Sequence, residues 1–129
     1  MTLIGGIEHV GLCARDTAGL ADFYVNALGF TVVFRTDTTP PVLFVKAANG
    51  AMIEIMPATT ALASQPRQNT DLGMVHLALT VADLDAAMAE LGAKGIRFEP
   101  IKVMGKNRAV FFRDPEGNIL HLIERAEKL

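Results

Sequence analysis

Three histidines and one glutamate carry the chemistry of this chain. His9, His76 and His121 are all of its histidines. His9 and His76 stand 67 residues apart, and Glu54 and His121 stand 67 apart as well. The steps from His9 to Glu54 and from His76 to His121 are therefore both 45. Imidazole nitrogens and a carboxylate oxygen suit a divalent first-row metal, with Ni, Co, Zn, Mn and Fe as candidates and Mg disfavoured by the nitrogen donors. Three imidazoles and one carboxylate leave one or two coordination positions for water or substrate, as a catalytic metal site does. The same residue types serve as general acids and bases near neutral pH. A single strand histidine is more commonly a satisfied core or surface residue. A lone Glu54 would commonly pair across a sheet, with Arg35, Lys46 or Arg113 as partners. The metal reading rests on the pattern, because every histidine falls on a repeat-related position.

The offset extends to the elements that must position these side chains. Asp16 and Asp83, Gly50 and Gly117, Leu12 and Leu79, and Ile55 and Leu122 share it. A unit present twice is too short an array for a solenoid and fits a duplicated half-domain. In the first copy, 7–14 reads as a strand and Asp16 as the cap of a helix. Leu20, Phe23, Tyr24, Ala27 and Leu28 recur in that helix at threes and fours, and Gly29 is placed to end it. Strands are expected over 30–35, 42–46 and 51–56, with Asn49-Gly50 as a hairpin turn. In the second copy, strands are expected over 75–81, 96–101, 109–113 and 119–124. Asp83 caps a helix carrying Leu84, Ala87, Met88 and Leu91, whose end is blurred by Gly92 and Gly95, and 114–118 is a turn. The class is α+β, two βαβββ modules in one domain over 1–129. Module one covers 5–56, a linker 57–73 and module two 74–125.

Alternation along a strand puts His9 with Gly11 and Cys13, His76 with Ala78 and Thr80, Glu54 with Met52 and Met56, and His121 with Ile119 and Ile123. The opposite faces are aliphatic and pack under the helices. The first and last strands of a βαβββ unit can be neighbours, so each copy would supply two of the four polar side chains. A buried Glu54 needs a partner or a cation. Cys13 reads as a small buried hydrophobe in preference to a soft ligand. Tyr24 reads as core, and Asp114 and Asn118 as turn formers.

The chain has 129 residues, half of them hydrophobic, and a net charge of −2. That supports a packed core and argues against binding a phosphate backbone, so no nucleic-acid partner is expected. No apolar run is long enough to span a bilayer, and the N-terminus has no signal-peptide pattern. The expectation is a cytoplasmic protein with a small-molecule substrate and no membrane partner. Cys13 is the single cysteine, which excludes an intrachain disulfide and a cysteine-rich zinc site.

Several segments resemble the vicinal oxygen chelate superfamily, which includes glyoxalase I, fosfomycin-resistance proteins, methylmalonyl-CoA epimerase, extradiol dioxygenases and bleomycin-binding proteins. In the first half they are Ile7-Glu8-His9-Val10-Gly11-Leu12, Phe23-Tyr24 with Leu28-Gly29-Phe30, and Met52-Ile53-Glu54-Ile55. In the second they are Val75-His76-Leu77-Ala78 and the run from Phe112 to Leu122. The resemblance implies two βαβββ modules forming an incomplete barrel around a metal, commonly in a homodimer. Carried over from glyoxalase I, the metal ligands fall on His9, Glu54, His76 and position 121. Glyoxalase I has Glu at the last position and this chain has His121. The implied activity is that of a metal-dependent lyase or isomerase, which chelates vicinal substrate oxygens and moves a proton through an enediolate-like intermediate. Glu54 would then be the base, with His121 as the alternative base. Arg35, Lys106, Asn107 and Arg108 would be the candidates for holding glutathione carboxylates. Two other functions go with the same resemblance: an iron-dependent extradiol-type dioxygenase using His9, His76 and Glu54, and a small-molecule binding or resistance protein.

Overall fold

A computed structural model describes residues 2–60 and 66–129. The chain divides into two compact units, Met1–Leu62 and Ala63–Leu129. Each unit is one βαβββ module. The first contains β1 (His9–Ala14), α1 (Thr17–Asn26), β2 (Thr31–Arg35), β3 (Leu43–Lys46) and β4 (Met52–Pro57). The second contains β5 (His76–Thr80), α2 (Leu84–Ala93), β6 (Lys102–Met104), β7 (Asn107–Arg113) and β8 (Ile119–Glu124). The strand orders are β1-β4-β3-β2 and β5-β8-β7-β6. In each sheet the first and last strands are parallel neighbours and the other pairs are antiparallel. The expected class and module order are therefore what the chain adopts.

Local chemistry explains the helix ends. The Asp16 carboxylate accepts the Gly19 N–H at 2.9 Å, and Asp83 accepts the Ala86 N–H at 3.0 Å. Each satisfies a donor that the first helical turn leaves without a partner. Gly29 follows α1 as expected. Gly92 lies inside α2, and Gly95, at φ +91°, ends it. There the Ile96 N–H reaches Leu91 O and the Gly95 N–H reaches Gly92 O, a pairing that needs a left-handed residue at position 95.

The core of the first unit lies between α1 and one face of its sheet. Leu20, Ala21 and Tyr24 are buried there with Leu43, Val45, Ile53 and Ile55. In the second unit Leu84 and Leu91 are buried along with Val110, Phe112, Leu120 and Leu122. Burying one such large side chain stabilises the fold by about 1.5–3 kcal/mol. The alternation expected from sequence therefore holds: aliphatic positions occupy the helix-covered face, and His9, Glu54, His76 and His121 occupy the other.

One expectation needs correction. No strand runs over 96–101, and the three-residue β6 begins at Lys102. Pro100 has no N–H to give a ladder, and the backbone bond from this stretch to β7 runs from Glu99 N–H to Phe111 O at 2.9 Å. The segment expected as a linker over 57–73 begins with the last residue of β4, and its portion from 66 onward is an anchored loop. Arg67 donates to Leu72 O at 2.9 Å and to Met74 O, and Arg113 donates to Arg67 O at 2.7 Å. The Gln68 N–H bonds Asp71 Oδ2 at 2.7 Å, and the Asp71 N–H returns to Gln68 O. Residues 61–65 of the expected linker lie outside the described residues.

Candidate functional site

Strand register builds the first donor pair. β1 and β4 run parallel with Gly11 opposite Glu54 and His9 opposite Met52. His9 thus lies diagonal to Glu54 on the shared face, and its side chain spans the gap over Gly11. A Cβ at Gly11 would meet the Met56 methyl at 3.0 Å, so a larger residue there would push the end of the Met56 side chain aside. His9 Nε2 stands 3.5 Å from Glu54 Oε1. Glu54 takes this partner, and not Arg35, Lys46 or Arg113. On the other side of the ring, His9 Nδ1 lies 2.8 Å from Glu8 Oε1. A carboxylate only accepts, so the proton sits on Nδ1 and donates to Glu8. In the neutral ring Nε2 then presents a lone pair to the Glu54 oxygen. Two donor atoms in that arrangement repel unless a proton or cation lies between them.

The second unit repeats the pattern. β5 and β8 are parallel, with Ala78 opposite His121 and His76 opposite Ile119. The His76 and His121 ring centroids are 4.7 Å apart, at an interplanar angle of 74°. His76 Nδ1 donates to Asn69 Oδ1 at 2.8 Å. His121 Nδ1 is buried and has no hydrogen-bond partner. Burial holds the His121 pKa below its ordinary value, helped by the nearby charges of His76 and Arg125. This ring therefore presents a neutral nitrogen.

A phenylalanine flanks each pair. Phe44 of β3 is Cα-paired with Glu54 and meets His9 edge-on at 5.1 Å. Phe111 of β7 is paired with His121, stacks on it at 4.7 Å and meets His76 edge-on at 5.8 Å. Sequence reasoning missed both rings, although positions 44 and 111 are again 67 apart. It also missed Glu8 and Asn69, which break the offset. Lys102, paired through Ala109 to the same face, holds its ammonium 4.8 Å from the Phe111 ring centre.

The His9–Glu54 pair has a spacing that two ligands of one divalent ion could adopt. Two ligand atoms each about 2.0–2.1 Å from a tetrahedral metal are about 3.3 Å apart. The 3.5 Å between His9 Nε2 and Glu54 Oε1 is close to that spacing. The structure assembles His9 with Glu54 and His76 with His121, one pair in each unit. Among the described residues, no group of three His, Cys, Asp or Glu side chains is placed to hold a metal.

Other expected residues have different roles. Cys13 is exposed, not buried, on the face that carries His9. Arg108 donates to Glu124 and Asp85, which raises its already high pKa further. Glu124 is correspondingly held below its ordinary pKa, first by Arg108 and then by the Leu84 N–H, which it accepts at 2.7 Å. Asn107 accepts the Ala126 N–H at 3.0 Å. Arg108 and Asn107 thus fasten the module. Asp114 accepts the N–H groups of Glu116 and Asn118 and closes the β7–β8 turn, as expected. No described helix is long and apolar enough to cross a membrane.

Residues 6–122 match the family model described as the Glyoxalase/Bleomycin resistance protein/Dioxygenase superfamily. The protein YwkD of Bacillus subtilis is 34% identical over 129 residues, covering 95% of this chain and 99% of that one. The mitochondrial methylmalonyl-CoA epimerase of Homo sapiens is 29% identical, covering 95% of this chain and 75% of that one. The crystal structure of a glyoxalase family protein from Enterococcus faecalis superposes with a TM-score of 0.79 at 29% identity, covering 95% of this chain and all of the other.

Proposed function

This chain belongs to the Glyoxalase/Bleomycin resistance protein/Dioxygenase superfamily, and from that premise we propose that it is a metal-dependent lyase or isomerase of glyoxalase type. In this reading His9, Glu54, His76 and His121 would be the ligands of a divalent ion, with Ni, Co, Zn, Mn or Fe as the candidates. Glu54 removes and returns a proton at the carbon beside a substrate carbonyl. One observation carries this reading: the two units place a donor pair at equivalent strand positions, and each pair has a phenylalanine beside it. The likeness to a protein named as an epimerase supports the isomerase class.

When bound, the ion supplies positive charge that holds the carbonyl oxygen and stabilises negative charge developing on it. The chain's own side chains do the rest. His9 and His76 keep their Nδ1 protons on Glu8 and Asn69, which leaves both Nε2 atoms as donors. His121, held neutral by burial, acts as a ligand and not as a charged acid. Glu54 has a side chain one-quarter exposed, so a substrate carbon can approach its carboxylate. The proton taken from that carbon rests on the Glu54 carboxylate before it returns. Phe44 and Phe111 give the apolar part of the substrate a wall beside the donors.

The test combines metal analysis with proton exchange. Untagged protein is analysed for bound metal. It is then incubated in D2O with the glutathione hemithioacetal of methylglyoxal or with methylmalonyl-CoA, and exchange is read by proton NMR. The expected result is one metal equivalent and deuterium incorporation beside the carbonyl, lost in Glu54→Gln with metal retained. Undiminished exchange in that variant overturns the base assignment. Failure to take up any of the five ions overturns the metal reading.

A further inference from the structure

The two first-strand histidines share a feature that the third lacks. His9 Nδ1 and His76 Nδ1 each lie 2.8 Å from a side-chain oxygen, of Glu8 and Asn69 respectively. A neutral imidazole carries one N–H, and an oxygen that only accepts fixes that hydrogen on the nitrogen facing it. We infer that Asn69 is a positioning residue: it holds His76 as the Nδ1–H tautomer and so leaves Nε2 as the free donor on the site face. The consequence for metal affinity rests on the function proposed above, whereas the tautomer itself does not.

Asn69 is built into place. It sits in a turn closed by Gln68 and Asp71, whose backbone and side chain bond each other in both directions. Arg67 clamps the base of this loop by donating to Leu72 O and Met74 O, two residues before His76. Arg113, at the end of β7, holds Arg67 O at 2.7 Å and Gly117 O at 2.9 Å. The loop is thereby tied to the sheet that carries His76 and His121. An acceptor fixed in this way orients a ligating ring and raises its basicity, and loss of such an acceptor costs about 10–100-fold in metal affinity. His121 provides the contrast, because its buried Nδ1 has no acceptor.

The test reads the tautomers in the metal-free, full-length protein by long-range nitrogen–proton NMR. His76 is expected to be protonated on Nδ1 in the wild type and in Asn69→Asp, which keeps an acceptor. In Asn69→Ala the proton is expected to move to Nε2, while amide signals away from the loop stay in place. Titration with Zn2+ alone should then show affinity lower by about 10–100-fold in Asn69→Ala and close to wild type in Asn69→Asp. An Nε2–H wild-type ring, or an Asn69→Ala ring that keeps its tautomer, overturns the inference. A shifted tautomer with unchanged Zn2+ affinity overturns the role toward the metal. Correct tautomers in a wild type that binds no ion would support Asn69 as the tautomer control and overturn the metal function instead.

Discussion

Glu54 and His121 occupy equivalent positions on the last strands of their units, yet their surroundings give them different chemistry. The Glu54 carboxylate is partly exposed beside a ring nitrogen, while His121 is packed flat against Phe111 and held neutral. This asymmetry is the reason Glu54, and not His121, is the base in the proposed reaction. Glu54→Gln keeps the shape and one ligand oxygen but removes the base. Turnover should fall by about 10²–10⁴-fold while bound metal is retained, read by parallel rate and elemental measurements. The four polar positions stood out in the sequence because their spacing repeats, and the structure sets them in two pairs on equivalent strands. Phe44 and Phe111 were equally legible by the same offset, but a phenylalanine in an apolar strand carries no chemical signal of its own. Glu8 and Asn69 were not legible. One adjoins its histidine with no periodic counterpart, and the other reaches His76 only because Arg67 and Arg113 fold a loop back onto the sheet.

At the scale of elements, the caps close the first turn of each helix, and the Arg108 cluster fastens α2 to its sheet. Removal of the Asp16 cap strands a helical N–H, so Asp16→Ala should destabilise the protein by about 1 kcal/mol in denaturant melts, with the donor pairs unaffected. Arg108 and the Leu84 N–H both favour ionised Glu124, so its folded pKa lies below the unfolded one. The folded state thus gains stability that is fully present above the ordinary carboxylate pKa and lost as pH falls through the depressed value. Glu124→Gln should be less stable than wild type at pH 7, and the gap should narrow in melts repeated at successively lower pH below the ordinary carboxylate range. The helices and most strands were legible from periodicity, capping and turn residues. The strand expected at 96–101 was misplaced because its apolar and β-branched residues argued for pairing, while Pro100 withheld the N–H that a ladder requires. A backbone constraint overrode side-chain propensity there.

At the scale of the whole chain, two donor pairs can mean one shared ion or two independent weak sites, and the two cases predict different metal counts. Two donors alone bind a divalent ion weakly, because the remaining positions stay with water. Four donors on one ion bind as a unit, so loss of either pair should release the metal altogether. His9→Ala and His76→Ala, made singly, should therefore each reduce bound metal from one equivalent per chain to none. Independent sites would instead leave each single variant with the untouched pair still loaded. Stability gives a second readout of the same question. An ion that binds only the folded state stabilises it by about 2.7 kcal/mol when present at 100 times its Kd. The wild type should show that gain in thermal melts with added Zn2+ or Ni2+, and both single variants should lose it. A single variant that keeps both its metal and its thermal gain would show that each βαβββ unit acts for itself, and the duplicated donors would then be two sites, not halves of one.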